Sequence, residues 1–155
     1  MSTTVSAKPV RIVGLVAMIA GVVLMVAGAA TWTMVRSQLV EENITVAEDA
    51  AMFGGETVDG PLDAYFQADI INQHALAASD GKTYAELDKE DPVRATMMNA
   101  SFLRSSLFTS VIAFGVAAFA AGMGLLFLLV GYALRAVVPA GAQITSTDDK
   151  ALLNA

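Results

Sequence analysis

Cysteine is absent from the 155 residues, and histidine and tryptophan occur once each, as His74 and Trp32. Without cysteine the chain can form no disulfide and offers no thiolate nucleophile, so any folded part must be held by packing. A single histidine does not by itself make a metal centre. There is no GxSxG elbow and no glycine loop followed by lysine for phosphates. The sequence therefore implies no catalytic residue, no cofactor and no metal site, and nothing in it points to nucleic acid. Charge is also scarce. With 15% charged and 55% hydrophobic residues and a mean hydropathy of +0.60, the chain is too apolar for an ordinary soluble domain of this size.

What is present is segregated. "IVGLVAMIAGVVLMVAGAATWTMV" (Ile12 to Val35) and "LFTSVIAFGVAAFAAGMGLLFLLVGYAL" (Leu107 to Leu134) contain no charged residue. Each exceeds the roughly 20 apolar residues that cross a hydrocarbon core about 30 Å thick. The competing reading of the first segment is a signal peptide, because Lys8 and Arg11 precede it and "AGAA" at Ala27 to Ala30 offers small residues for cleavage. Its length and the interfacial Trp32 favour a retained span. Lys8, Arg11 and Arg135 flank the spans on one side, and Arg36, Arg94 and Arg104 on the other. The first helix usually sets the orientation, so the N-terminal basic pair places both tails in the cytoplasm and the acidic loop outside.

These readings define an all-α membrane protein of the plasma membrane: a two-helix transmembrane hairpin with a mainly helical, acidic extracytoplasmic loop. The expected divisions are a tail at 1–11, a first span at 12–35, a cap at 36–105, a second span at 106–134 and a tail at 135–155. Both tails are short, polar and expected to be mobile. Within the cap, Pro61 and Gly81 bracket a helix over 61–79. Its apolar arc is expected to hold Leu62, Tyr65, Phe66, Ile70, Leu76 and Ala77. Asp69 and Gln73 fall inside that arc and call for partners, for which Arg94 and Arg104 are the candidates. Glu41 to Gly60 reads as extended chain or loop. "TYAE" at Thr83 to Glu86 has capping-box spacing. Asp91 and Pro92 start a last helix with no glycine or proline before Gly115, about 43 residues and roughly 64 Å long, so that the second span continues outward as a stalk.

The phrases "ENITVAEDA", "GPLDAYFQADIINQHAL", "GKTYAELDKEDP" and "NASFLRSSLFTSVIAFGVA" resemble a family of small two-span membrane proteins of actinobacteria, over most of residues 31–118. Such proteins often carry the label aromatic ring-opening dioxygenase. Ring cleavage of that kind needs an iron commonly held by two histidines and a carboxylate, and this chain supplies His74 alone. "DGKTYAELDKED" likewise lacks the alternating oxygen ligands and central glycine of a calcium loop. The resemblance itself implies no established activity.

The spans carry a different signal. Gly14, Gly21 and Gly28 recur every seven residues, with Ala17 completing a small pair with Gly21. In the second span Gly115, Ala118 and Gly122 make one small-residue face, and Gly124 and Gly131 another. Helices in lipid associate chiefly where small residues let backbones approach, so two helices with three such faces suggest a further partner. The sequence thus points to a non-enzymatic accessory or scaffolding subunit, held in the lipid bilayer and docked on another membrane protein or on a copy of itself. The alternative is a small sensor or channel component with an acidic ligand-binding ectodomain. A pore finds few polar lining groups, namely Thr31, Thr33, Thr109 and Ser110 near the outer ends. A sensor would need an output domain larger than either tail.

Overall fold

The structure, a computed structural model, describes residues 3–6, 8–137 and 143–146. Its elements in chain order are β1 (Thr3–Ser6), α1 (Lys8–Glu41), α2 (Pro61–Ala78), α3 (Val93–Val137) and β2 (Gln143–Ser146). Helix dominates. The chain divides into two compact units, Met1–Ala27 with Ala120–Ala155, and Gly28–Phe119, and α1 and α3 each run through both.

In the first unit the opening part of α1 lies antiparallel to the closing part of α3, with Gly14 against Gly131 and Gly21 against Gly124. The flanking segments, expected as free tails, instead pair: β1 and β2 form an antiparallel ribbon with Thr3 opposite Ser146 and Ser6 opposite Gln143. Both strands, TTVS and QITS, carry the β-branched residues that suit a pleated ribbon.

α1 exceeds its expected span, and α3 continues outward from its span over close to the expected length. α1 continues past Val35 through Arg36 to Glu41, because no glycine or proline interrupts it, and stops where Asn43 takes a left-handed φ of 51°. α3 has 45 residues, roughly 68 Å of helix, and begins at Val93 with the Asp91 carboxylate accepting the Val93 N–H at 2.9 Å. Each is long and apolar enough to cross a membrane, and only 17% of the most apolar window of each is buried. A core helix of a soluble protein would be mostly covered. Here Ile12, Val16, Ile112, Val116, Phe119 and Leu129 are largely exposed.

The second unit holds the cap. Residues 44–58 form a small two-armed loop: Val46 N–H donates to Glu56 O, Gly55 N–H to Val46 O and Val58 N–H to Ile44 O, each at 2.9 Å. α2 starts at Gly60-Pro61. Its third residue, Asp63, is buried and accepts the N–H groups of Asp59 at 2.6 Å, Gly60 at 2.9 Å and Ala64 at 3.1 Å. One carboxylate thus satisfies donors that a helix start leaves free. The helix stops at Ala78, with Gly81 at φ 81° donating its N–H to Leu76 O at 2.8 Å.

The buried face of α2 differs from the expected one. Of the expected arc Ile70 is buried and Phe66 and Leu76 are half-buried, but Leu62 and Tyr65 are 61% and 46% exposed and Ala77 is exposed, whereas Ala64, Ala68 and Ala75 are buried. Alanine lets α2 come close to its neighbours, while Leu62 and Tyr65 turn outward. Ala64 and Ala68 join Leu39, Val46, Val58, Leu107 and Phe114 in one cluster, while Ala75 packs with Leu87 and Met97 in a second. The single tryptophan sets its edge on Phe114, with ring centroids 4.7 Å apart.

Candidate functional site

The small residues of the long helices do two different things. A Cβ added at Gly21 would lie 2.6 Å from Gly124 O and 2.9 Å from Leu128 N; one added at Gly14 would lie 2.9 Å from Gly131 O. The reciprocal distances from Gly124 to Gly21 O and from Gly131 to Gly14 O are 2.6 and 2.5 Å. Backbone here meets backbone, and a side chain larger than hydrogen does not fit. The seven-residue step between the pairs is the repeat that keeps two helices in register along a seam. Gly28, the next glycine of the repeat in α1, is buried, as is Ala117 of α3. Ala17 is half-buried.

Gly115, Ala118 and Gly122 are exposed instead, and a Cβ at Gly115 or at Gly122 would meet nothing within 4 Å. The sequence alone could not say which of the two glycine faces of α3 the chain uses internally. The structure commits Gly124 and Gly131.

The polar residues of the cap pair differently from expectation. Asp69 accepts from Gln73 Nε2 at 2.8 Å, one turn along the same helix, and meets neither arginine. Arg94 donates through Nη1 to the carbonyls of Leu87 at 2.7 Å and Tyr84 at 3.3 Å, and its guanidinium lies 4.0 Å from the Tyr84 ring centroid. It therefore pins the 84–87 turn to the start of α3. Arg104 sits 5.7 Å from the Phe108 ring centroid, and its buried Nε has no hydrogen-bond partner. Asp69 instead takes the amide one turn along its own helix, and Arg94 is drawn to open carbonyls of its own loop.

Three contacts lay beyond the sequence reading. Arg36, inside the lengthened α1, makes a salt bridge with Asp59. Gln67 Oε1 accepts the Ala47 N–H at 2.9 Å, tying the 44–58 loop to α2. His74 Nε2 and Asp49 Oδ2 are 2.7 Å apart, with both side chains more than half exposed. The hydrogen bond from His74 holds the Asp49 carboxyl below its ordinary value of 3.8. Among the described residues no group of three His, Cys, Asp and Glu could hold a metal ion.

Glu86 shows the same effect at the next turn, accepting the Thr83 N–H at 2.7 Å and the Thr83 hydroxyl at 2.8 Å. The backbone bond leads in pulling its pKa below 4.5, and the hydroxyl adds to it. A carboxyl depressed on folding stabilises fully above its unfolded value, and the benefit disappears as pH falls through the lower, folded value. The Thr83 amide proton resonance should accordingly titrate with a midpoint below 4.5 and lose that titration in Glu86→Ala. A midpoint at or above 4.5 would contradict the bond.

No family model, no curated protein and no solved structure matches the chain.

Proposed function

We propose that the chain is a non-enzymatic integral membrane subunit that spans the bilayer twice as a hairpin. It docks on a larger membrane protein, or on a copy of itself, through the face carrying Gly115, Ala118 and Gly122. One observation carries this reading: the glycines at 14, 21, 124 and 131 are filled by each other's backbones, whereas Gly115 and Gly122 stand open. In lipid an open small-residue face on a helix is where another backbone can come close, and packing there is the main source of association. Leucine at both positions should detach the partner and leave the chain's own fold intact.

In this arrangement the segments flanking the two spans lie in the cytoplasm and the cap faces outward. The β1–β2 ribbon supports a common side for the flanks, since strands on opposite faces of a bilayer could not pair. Lys8 and Arg11 support the cytoplasmic side. Because the chain has no cysteine, an introduced thiol reports without background. A cysteine at the exposed Glu90 should react with a membrane-impermeant reagent in intact cells, and one at Ser146 should not. The opposite pattern would reverse the orientation.

A further inference from the structure

The cap carries most of the chain's acid. All but two of its fifteen Asp and Glu residues lie between Glu41 and Asp91, the others being Asp148 and Asp149. Within it one cavity of about 300 Å³ has an arginine and no carboxylate in its lining. We infer that this cavity, between α2, α3 and the turn at Thr83 to Ala85, binds a small amphiphilic anion: a carboxylate or phosphate group beside a short apolar chain, with Arg104 as its counter-charge.

The walls supply both halves of such a ligand. Ala75 and Leu76 from α2 and Met97 and Ala100 from α3 make the apolar part. Arg104, one turn along α3 from Ala100, supplies the cation, and Asn72 on α2 adds an amide. Neither side chain makes a hydrogen bond among the described residues, and Arg104 Nε is buried. An unmatched buried donor on a charged group is costly, and the Arg104 guanidinium lines the cavity with no acceptor beside it. Asp69 and Glu86, acids on the elements that wall the cavity, do not fill that role, since Asp69 takes Gln73 and Glu86 takes Thr83. The outer wall is also built rather than loose. Glu86 closes the turn through Thr83, and Arg94 clamps it from Tyr84 and Leu87. The volume stands at the lower end of the roughly 300–1,000 Å³ of small-molecule sites, which suits a head group with a short chain and not a whole phospholipid.

The site is independent of the docking face, and its test leaves Gly115 and Gly122 untouched. Full-length protein in phosphatidylcholine nanodiscs is titrated with hexanoate and with hexanol, following the Arg104 Nε–H resonance and the heat of binding. Saturable hexanoate binding is expected, weakened about tenfold or more in Arg104→Gln. Hexanol binding should be unchanged in that variant. Lys89→Gln removes a cation of the cap outside the cavity and should leave hexanoate affinity as it was, which separates contact from net charge. Ala85→Phe, at an exposed turn position, fills the cavity without altering a helix residue and should weaken both ligands even if Arg104→Gln misfolds. Repeating the titration with phosphatidylglycerol present identifies the source. If the Arg104 signal is already displaced and hexanoate competes, the anion is a lipid head group; if the signal moves only with hexanoate, it is a soluble anion. Absence of saturable hexanoate binding in both lipids, with no displacement by phosphatidylglycerol, would overturn the assignment. So would affinities that Arg104→Gln and Ala85→Phe leave unaltered.

Discussion

Gly21→Leu should cost the protein the packing of α1 on α3 while leaving both helices inserted. The added Cβ alone would sit 2.6 Å from Gly124 O and 2.9 Å from Leu128 N. These neighbours are backbone and cannot swing aside, so the helices must separate. Separation at this point also loosens the next contact, where Gly14 and Gly131 approach as closely. Overpacking in a well-filled interior typically costs about 1–3 kcal/mol. The present case belongs at or above the top of that range, since lipid supplies no hydrophobic drive to compensate. Thermal unfolding of the purified chain in mild detergent should show a clearly lowered midpoint for Gly21→Leu and also for Gly124→Leu. Gly122→Leu, placed in open space, should unfold like the parent. If Gly122→Leu were the destabilised variant and Gly21→Leu the silent one, the seam between α1 and α3 would lie on the other face of α3.

The glycine step of seven in the first span was readable because the spacing of small residues is a property of sequence. The partner face was not, since α3 carries two glycine faces and only their contacts in three dimensions distinguish them. A related blind spot explains α2. An apolar arc drawn through the large side chains put Leu62 and Tyr65 in the interior, yet helices that approach closely bury alanine, and Ala64, Ala68 and Ala75 are the buried residues. The extension of α1 to Glu41 was obscured by Arg36 and Glu41 themselves. Charge ends a membrane span without ending a helix, and Asn43 is what ends this one. The cap's polar partners were least legible. Asp69 with Gln73 obeys a local rule, whereas Asp49 with His74 and Ala47 with Gln67 depend on where the 44–58 loop folds back, which no periodicity encodes.

The remaining large effect concerns the open face. Leucine at Gly115 and Gly122 together would place two bulky side chains at positions where an added Cβ meets nothing within 4 Å outside its own helix backbone. The variant should therefore insert and unfold as the parent does, and its loss should be confined to association. This contrast with Gly21→Leu is the core of the account, because one glycine pair is assigned to the fold and the other to a partner.

The most direct measurement is the mass and protein content of the complex that a tagged full-length chain carries through gentle detergent extraction, compared with the Gly115→Leu, Gly122→Leu double variant. The parent should run as an assembly larger than one chain in its detergent shell, and the double variant should fall to a single chain at unchanged thermal midpoint. A double variant that keeps every associated protein and the parent's mass, or a parent that is itself a single chain, would contradict the docking role.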